Sequence, residues 1–135
     1  GHAGSMTTVH ANSPEGALTR LETLALQSDV DLPLRPLRAQ ITAAIDYVVQ
    51  TQRYRDGSRK VAAIGEVLPL DDVGHYAVRR VLQFEQRGRG PDGEVIGEHV
   101  LLRCPAFWPD VKVAGLSADA AALGAAVARG GHEAC

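Results

Sequence analysis

Apolar positions near the start of the chain recur with the period of an α-helix. After the polar turn at Asn12, small and apolar side chains return every three or four residues, which is typical of a helix with one buried face. They are Ala17, Leu18, Leu21, Leu24, Ala25 and Ser28, whereas Arg20, Glu22 and Gln27 lie off this stripe. Ser13 can cap free N–H groups and Pro14 has no N–H to satisfy, so a helix is predicted to begin here and to end before Asp29.

A second helix is predicted after Pro33 and Pro36. Its apolar positions again share one helical face, and they are Leu34, Leu37, Ile41, Ala44 and Ile45. Before the first helix, the β-branched segment Thr7 to Ala11 favours a buried strand that runs into the helix start.

From Asp46 the pattern changes to alternation, which is typical of strands. Four segments alternate in this way, and they are 47–54, 59–67, 75–86 and 94–103. Asp-Gly turns at Asp56 and Asp92 join them into two antiparallel hairpins. Pro105 to Gly115 is predicted to be irregular, and Ser117 to Arg129 to form an Ala-rich C-terminal helix.

These elements predict an α/β or α+β fold in one domain covering residues 1–135. The chain has 45% hydrophobic and 22% charged residues, as ordinary globular proteins do. Its formal net charge of -2 supplies no overall field for nucleic acid, so no nucleic-acid partner is expected. No apolar run approaches the ~18 residues of a membrane-spanning helix, and a cytoplasmic location is expected.

His10 is the most informative single residue, because it lies where the predicted strand ends and the helix begins. Anionic ligands meet backbone N–H groups at such places, and an imidazole there could bond a phosphate. The alternative is an imidazole that satisfies local backbone groups. No metal site is predicted, because the spacings of His99 with Cys104 and of His132 with Cys135 fit no standard zinc site.

The segment from Gly1 to Pro14, GHAGSMTTVHANSP, closely resembles the "His box" of the type II/IV secretion ATPases. The resemblance is to the CpaF-like branch, which drives assembly of tight-adherence (Flp) pili. It continues through Ala17 to Glu22, Asp46 to Gln50, Arg53 to Arg59 and Ile64 to Val67. It is strong over residues 1–67 and weaker over the β-rich tail, residues 68–135.

This resemblance implies the C-terminal fragment of a RecA-like P-loop ATPase domain, taken from a hexameric motor. His10 is then the His-box residue near the terminal phosphate of the nucleotide, and His2 is the second catalytic histidine of that segment. Arg20 aligns with a helical arginine that either contacts the nucleotide or supports the structure. The Arg53 to Arg59 cluster also matches, but it is expected to be a solvated hairpin tip.

The chain also departs from the family, because it contains no Gly-x-x-x-x-Gly-Lys-Ser/Thr loop. The acidic residues that hold Mg²⁺ upstream of the His box are missing too. ATP and Mg²⁺ are therefore expected for the full-length family, and none for this chain alone, which should be inactive as an ATPase. The alternative is a non-catalytic protein-interaction module that has lost the ATPase half.

The resemblance also predicts partners. They are the rest of the ATPase, neighbouring subunits and the platform proteins of the secretion or pilus system in the inner membrane. The protein would then lie at the inner face of that membrane. The predicted strand Thr7 to Ala11 would be left with an uncovered edge in this fragment. Self-association, or movement of the N-terminal segment away from its family position, is expected from that exposure.

Overall fold

The computed structural model describes residues 4–28 and 32–113, which form helices followed by an antiparallel sheet. The elements are α1 (Pro14–Leu26), α2 (Leu34–Ala44), β1 (Tyr47–Arg53), β2 (Arg59–Leu68), β3 (Ala77–Arg89), β4 (Val95–Leu101) and α3 (Trp108–Val113). The four strands pair in the order in which they occur along the chain. This α+β arrangement of two helices, antiparallel strands and a short C-terminal helix confirms the predicted fold class.

Helix α1 begins as its sequence predicts, and it buries Ala17 and Leu18 of the predicted apolar stripe but not the whole stripe. The Ser13 hydroxyl accepts a hydrogen bond from the Gly16 N–H at 3.0 Å, and Pro14 occupies the first turn. Leu18 is fully buried, whereas Leu24, assigned to the apolar stripe, is 44% exposed. Glu22, assigned to the polar side, is buried instead.

An ion pair to α2 explains why Glu22 is buried. Arg38 Nε donates to Glu22 Oε2 at 2.8 Å, and Arg38 Nη2 donates to Oε1 at 3.2 Å. Arg38 Nη1 also donates to the carbonyl of Gly74 in the loop between β2 and β3, at 3.1 Å. These bonds from Arg38 lower the pKa of Glu22 although burial opposes ionisation. One guanidinium therefore joins α1, α2 and the sheet.

Cross-strand pairing places one continuous apolar row across the sheet. Val49 pairs with Ile64, Ile64 with Leu82, and Leu82 with Leu101. Leu101 and Val81 are buried together there. Both predicted hairpins form, and β2 also pairs with β3, so all four strands belong to one sheet.

The N-terminus of α1 lies on one face of this sheet. The Gln50 side chain donates to the carbonyl of Asn12 at 2.7 Å. A Cβ atom at Gly65 would overlap the Val78 side chain and would lie 3.7 Å from Pro14. The absence of a side chain at Gly65 therefore leaves room for Val78 on β3 and for Pro14, and it allows the start of α1 to lie against β2.

The opposite face carries a buried carboxylate, because Glu66 follows Gly65 and successive strand residues point to opposite faces. Glu66 is 3% exposed, and it pairs across the sheet with Tyr47 on β1 and Arg79 on β3. The Tyr47 hydroxyl donates to Glu66 Oε1 at 2.6 Å, and Arg79 Nε donates to Oε2 at 2.9 Å. The backbone N–H of Ala106 donates to Oε1 as well. Glu66 thus joins three strands, through pairing or side-chain bonds, to the segment after β4.

Burial by itself would raise the pKa of Glu66, but its hydrogen bonds outweigh this effect. The bonds from Tyr47, Ala106 and Arg79 hold the pKa of Glu66 below its usual 4.5. Burial and the hydrogen bond to Glu66 raise the pKa of Tyr47 to about 12. The Tyr47 ring also packs edge-on against Phe107, with ring centres 5.4 Å apart.

Two sequence predictions are wrong in the described residues. Thr7 to Ala11 is not a strand, because β1 pairs only with β2 and no described strand lies beside this segment. Pro105 to Gly115 is not wholly irregular, since the Trp108 N–H bonds the Pro105 carbonyl and α3 follows. The helix predicted from Ser117 to Arg129 lies outside the described residues.

We expect Glu66→Gln to destabilise the fold by about 2–4 kcal/mol, because a neutral amide cannot accept all these bonds and leaves the Arg79 charge without its partner. The pKa of Glu66 is lower in the folded chain than in the unfolded chain. The ionised carboxylate therefore makes its full contribution to the free energy of unfolding at a pH above the unfolded-state pKa, and this contribution is lost as the pH falls through the folded-state pKa. Urea unfolding from pH 7 to pH 3 should therefore show a steeper acid-side loss of stability for the unmodified chain than for the variant.

Glu98→Gln is the matched control, because Glu98 is an exposed β4 carboxylate that bonds Arg87 at the surface. Its effect on the free energy of unfolding should stay below about 0.5 kcal/mol. Equal effects of the two substitutions would contradict the role assigned to Glu66.

Candidate functional site

The first candidate site is the segment that leads into α1. His10 is exposed, and its imidazole has no hydrogen bond or ion pair within residues 4–28 and 32–113. It precedes the first residue of the helix, Pro14, by four positions. The ring is therefore open to a ligand that approaches from solvent.

The structure describes one of the other two sequence-predicted site residues, Arg20. Arg20 lies in the second turn of α1, exposed and without an ion pair in the described part of the chain. His2 lies outside the described residues. At the helix N-terminus the Ser13 hydroxyl already takes the Gly16 N–H, and the carboxylate of Glu15 occupies the first turn.

A second candidate site lies at the end of the sheet that carries both hairpin tips. A cavity of about 300 Å³ opens there, and we call it the hairpin-tip cleft. Its lining residues are Gln52, Arg53, Tyr54, Arg55, Gln86, Arg89 and Val95. They come from the end of β1 and its turn, from the end of β3 and from the start of β4.

Asp56 fixes the two hairpin tips relative to each other. Its Oδ1 accepts hydrogen bonds from the N–H and the hydroxyl of Ser58, at 2.9 and 2.7 Å, which closes the first turn. Its Oδ2 accepts a hydrogen bond from the Val95 N–H at the start of β4, at 2.6 Å. The Val95 bond and then the Ser58 bonds lower the pKa of Asp56 to about 2. The carboxylate is therefore charged, and both of its oxygens are engaged.

Aromatic contacts hold the Tyr54 side of the cleft. The Tyr54 ring packs edge-on against Phe84 with ring centres 5.4 Å apart, and Phe84 packs likewise against His99 at 5.2 Å. The ammonium group of Lys60 lies 5.4 Å from the centre of the Phe84 ring. Tyr54 is thus fixed by packing on β3, next to the arginines on either side of it in sequence.

The charged residues that line the cleft are all positive, and they form no ion pair within the described residues. Arg53, Arg55 and Arg89 make no ion pair there, and no lining residue is acidic. Arg87 on the same strand differs, because it pairs with Glu85 at 3.0 Å and with Glu98 at 2.8 Å. The cleft arginines therefore keep their donors available.

Sequence reasoning missed this cleft. It placed Arg53 to Arg59 at a solvated hairpin tip, and these arginines are indeed exposed, but two of them share a cavity with Arg89 of the other hairpin. The available signal was the pair of Asp-Gly turns, which put both tips at one end of the sheet. For metals, residues 4–28 and 32–113 contain no group of three or more His, Cys, Asp or Glu side chains that could hold an ion.

Comparison with known proteins gives a family match over most of the described chain. A family model described as type II/IV secretion system protein matches residues 1–86. Conjugal transfer protein TrbB from Rhizobium radiobacter is 31% identical over 88 residues, which are 64% of this chain and 25% of that protein. The chain thus spans about a quarter of the length of this relative. The family match includes the His10 segment, both helices and the first hairpin.

We expect Asp56→Ala to loosen the contact between the two hairpin tips. Without the carboxylate the Val95 N–H loses its acceptor, so its amide hydrogen exchange should become faster by about tenfold or more. Nuclear magnetic resonance of the labelled chain measures this rate at the single amide.

Asp92→Ala is the control, because Asp92 lies in the equivalent Asp-Gly turn of the second hairpin without such a bond to the first. Its effect on the Val95 amide should be less than about twofold. An unchanged exchange rate at Val95 in Asp56→Ala would contradict the contact.

Proposed function

We propose that this chain, which belongs to the type II/IV secretion system protein family, is the C-terminal part of a secretion or pilus-assembly motor ATPase. In this proposal it contributes the His box and a surface for packing of subunits, and it is not active by itself. The observation that carries the proposal is the family match over residues 1–86. TrbB, the relative from Rhizobium radiobacter, is named for conjugal transfer and supports the same broad class.

The exposed position of His10 supports its role in this proposal. An imidazole that is free of bonds within the described residues and lies before a helix start can approach the terminal phosphate of a nucleotide bound by another part of the motor. His2 would assist from the same segment, and Arg20 would contact the nucleotide from the second turn of α1.

The residues of this chain do not by themselves fit a metal-bound nucleotide. The sequence has no Gly-rich loop ending in Lys and Ser or Thr, and the described residues have no acidic cluster for a cation. The proposal therefore assigns ATP and Mg²⁺ to the remainder of the ATPase. This chain supplies a side chain that contacts the terminal phosphate from outside.

The finer assignment is to the CpaF-like branch, which assembles tight-adherence pili. It rests on the His-box segment and on the Arg53 to Arg59 block of the sequence. The partners would be the rest of the ATPase, neighbouring subunits of a hexamer and the platform proteins of the inner membrane, and the location would be cytoplasmic at that membrane. In the described residues no helix is long and apolar enough to cross a bilayer.

A non-catalytic interaction module is the second candidate, and exposed apolar side chains favour it. Leu26 at the end of α1 is 46% exposed, and Leu34 at the start of α2 is 43% exposed. The intact gene product distinguishes the two candidates. A Gly-rich P-loop before the His box supports the motor, and a protein that lacks one supports the module.

In the motor that contains this chain, we expect His10→Ala to lower kcat for ATP hydrolysis by about tenfold to a hundredfold and to change KM less than about threefold, because phosphate binding is retained while a contact that strengthens during reaction is lost. Steady-state hydrolysis measured over a range of ATP concentrations separates the two constants.

His75→Ala is the matched control, since His75 is also an exposed histidine and its imidazole pairs with Asp71 in the β2–β3 loop. It should leave kcat unchanged. Equal turnover in His10→Ala and the unmodified motor would remove His10 from the reaction.

For the chain of 135 residues by itself, we expect no hydrolysis of Mg²⁺-ATP above buffer background, because the groups that position and neutralise the phosphates are absent from its sequence. Phosphate release from the purified chain measures this. Turnover that disappears in His10→Ala would show that the chain is an ATPase in its own right.

A further inference from the structure

We propose that the hairpin-tip cleft binds a phosphate-bearing ligand through the guanidinium groups of Arg53, Arg55 and Arg89. This site is separate from the His10 segment, and it does not depend on an ATPase role for the chain. It brings together residues that are distant in sequence, because β1 and β3 end at the same end of the sheet.

The charge of the lining residues favours an anionic ligand. Three arginines line one cavity, and none has an acidic partner within the described residues, although Arg87 nearby has two. Asp56 lies between the tips, but both of its oxygens already accept hydrogen bonds from Ser58 and Val95. Asp56 offsets one of these three positive charges, and the remaining like charges repel each other, so a bound anion would stabilise this arrangement.

The donors of the arginine side chains favour a phosphate among the possible anions. A guanidinium presents planar N–H groups that match the oxygens of a phosphate, two bonds at a time. One carboxylate is satisfied by one arginine, whereas three arginines suit a group with several oxygens and more than one negative charge. Gln52, Gln86 and Tyr54, which carry neutral polar groups, also line the cavity. This lining favours a phosphate, or a chain of phosphates, over a single carboxylate.

Contacts between the two hairpin tips already form the cleft. The Asp56 bond to Val95 holds the two tips together, and the packing of Tyr54 on Phe84 fixes the first turn. A cavity of about 300 Å³ accommodates a phosphate group with part of the molecule that carries it. A ligand would therefore need no rearrangement of the two turns, and the ordering that it requires is that of the arginine side chains.

Two sources share this chemistry, namely a soluble phosphate compound and the headgroup of an anionic lipid. Titration of the full chain with pyrophosphate, followed by calorimetry, tests the first source. Cosedimentation with phosphatidylglycerol vesicles, compared with phosphatidylcholine vesicles, tests the second. Binding of pyrophosphate is expected, with a Kd tighter than about 1 mM that weakens as KCl is raised.

Substitutions of the cleft arginines test whether pyrophosphate binds in the cleft. Arg55→Gln and Arg89→Gln should each weaken the binding by about tenfold or more, and Arg89→Lys should weaken it less, because the charge remains while the paired donors are lost. Arg103→Gln is the control, since Arg103 is an exposed arginine that follows β4 at the opposite end of the sheet. It should change the Kd less than twofold, and unchanged thermal unfolding of each variant shows that the fold is retained.

The results with the two probes show which source supplies the ligand and whether the site binds a phosphate at all. Binding to phosphatidylglycerol vesicles alone, with the same dependence on Arg55 and Arg89, would identify a lipid headgroup as the ligand and would support the site. Binding of neither probe, or binding that is unchanged in Arg55→Gln and Arg89→Gln, would overturn it. Binding of a poly-glutamate peptide and of neither phosphate probe would also overturn it, because the cleft would then be a docking site for acidic protein segments.

Discussion

A carboxylate buried inside a sheet must find hydrogen-bond donors, and the way Glu66 meets this requirement organises the described structure. Its donors come from β1, from β3 and from the backbone after β4. The ionised group thereby favours one register among three strands and fixes the segment that covers this face of the sheet. A register shift by one residue would turn Glu66 to the other face and leave Arg79 without its partner. The carboxylate therefore contributes to specificity as well as to stability.

The two candidate sites depend on this sheet in different ways. The His10 segment leads into α1, whose start is fixed on β1 and β2 by the Gln50 bond to Asn12 and by the small volume of Gly65. The hairpin-tip cleft is formed by the strands themselves, and Asp56 joins its two turns. One sheet can thus present a histidine on a connecting segment and an arginine-lined cavity at its end. This separation is why the proposals for the two sites can be tested independently.

Local chemistry made much of this fold predictable. The cap at Ser13, the change of period at Asp46 and the Asp-Gly turns each act within a few residues, so the helices and four strands follow from the sequence. The errors arise where long-range contacts decide. Glu22 was assigned to the solvent side because its partner Arg38 lies on another helix, and Thr7 to Ala11 was assigned to a strand although a strand requires a neighbour. The cleft was missed because Arg53 and Arg89 line one cavity only as a result of the strand order, in which β1 and β3 end at the same end of the sheet. His2 lies outside the described residues, and the roles of His10 and Arg20 stay predictions.

The central claim is that Glu66 is an ionised group inside the sheet, held by donors on both sides. Carboxyl-carbon nuclear magnetic resonance of the labelled chain, followed through an acid titration, measures its pKa directly. The account predicts a value below the usual 4.5 of a glutamate, because the bonds from Tyr47, Ala106 and Arg79 outweigh burial. A pKa above 4.5 would show that burial dominates and that the carboxyl is not held by these donors, which would contradict the account.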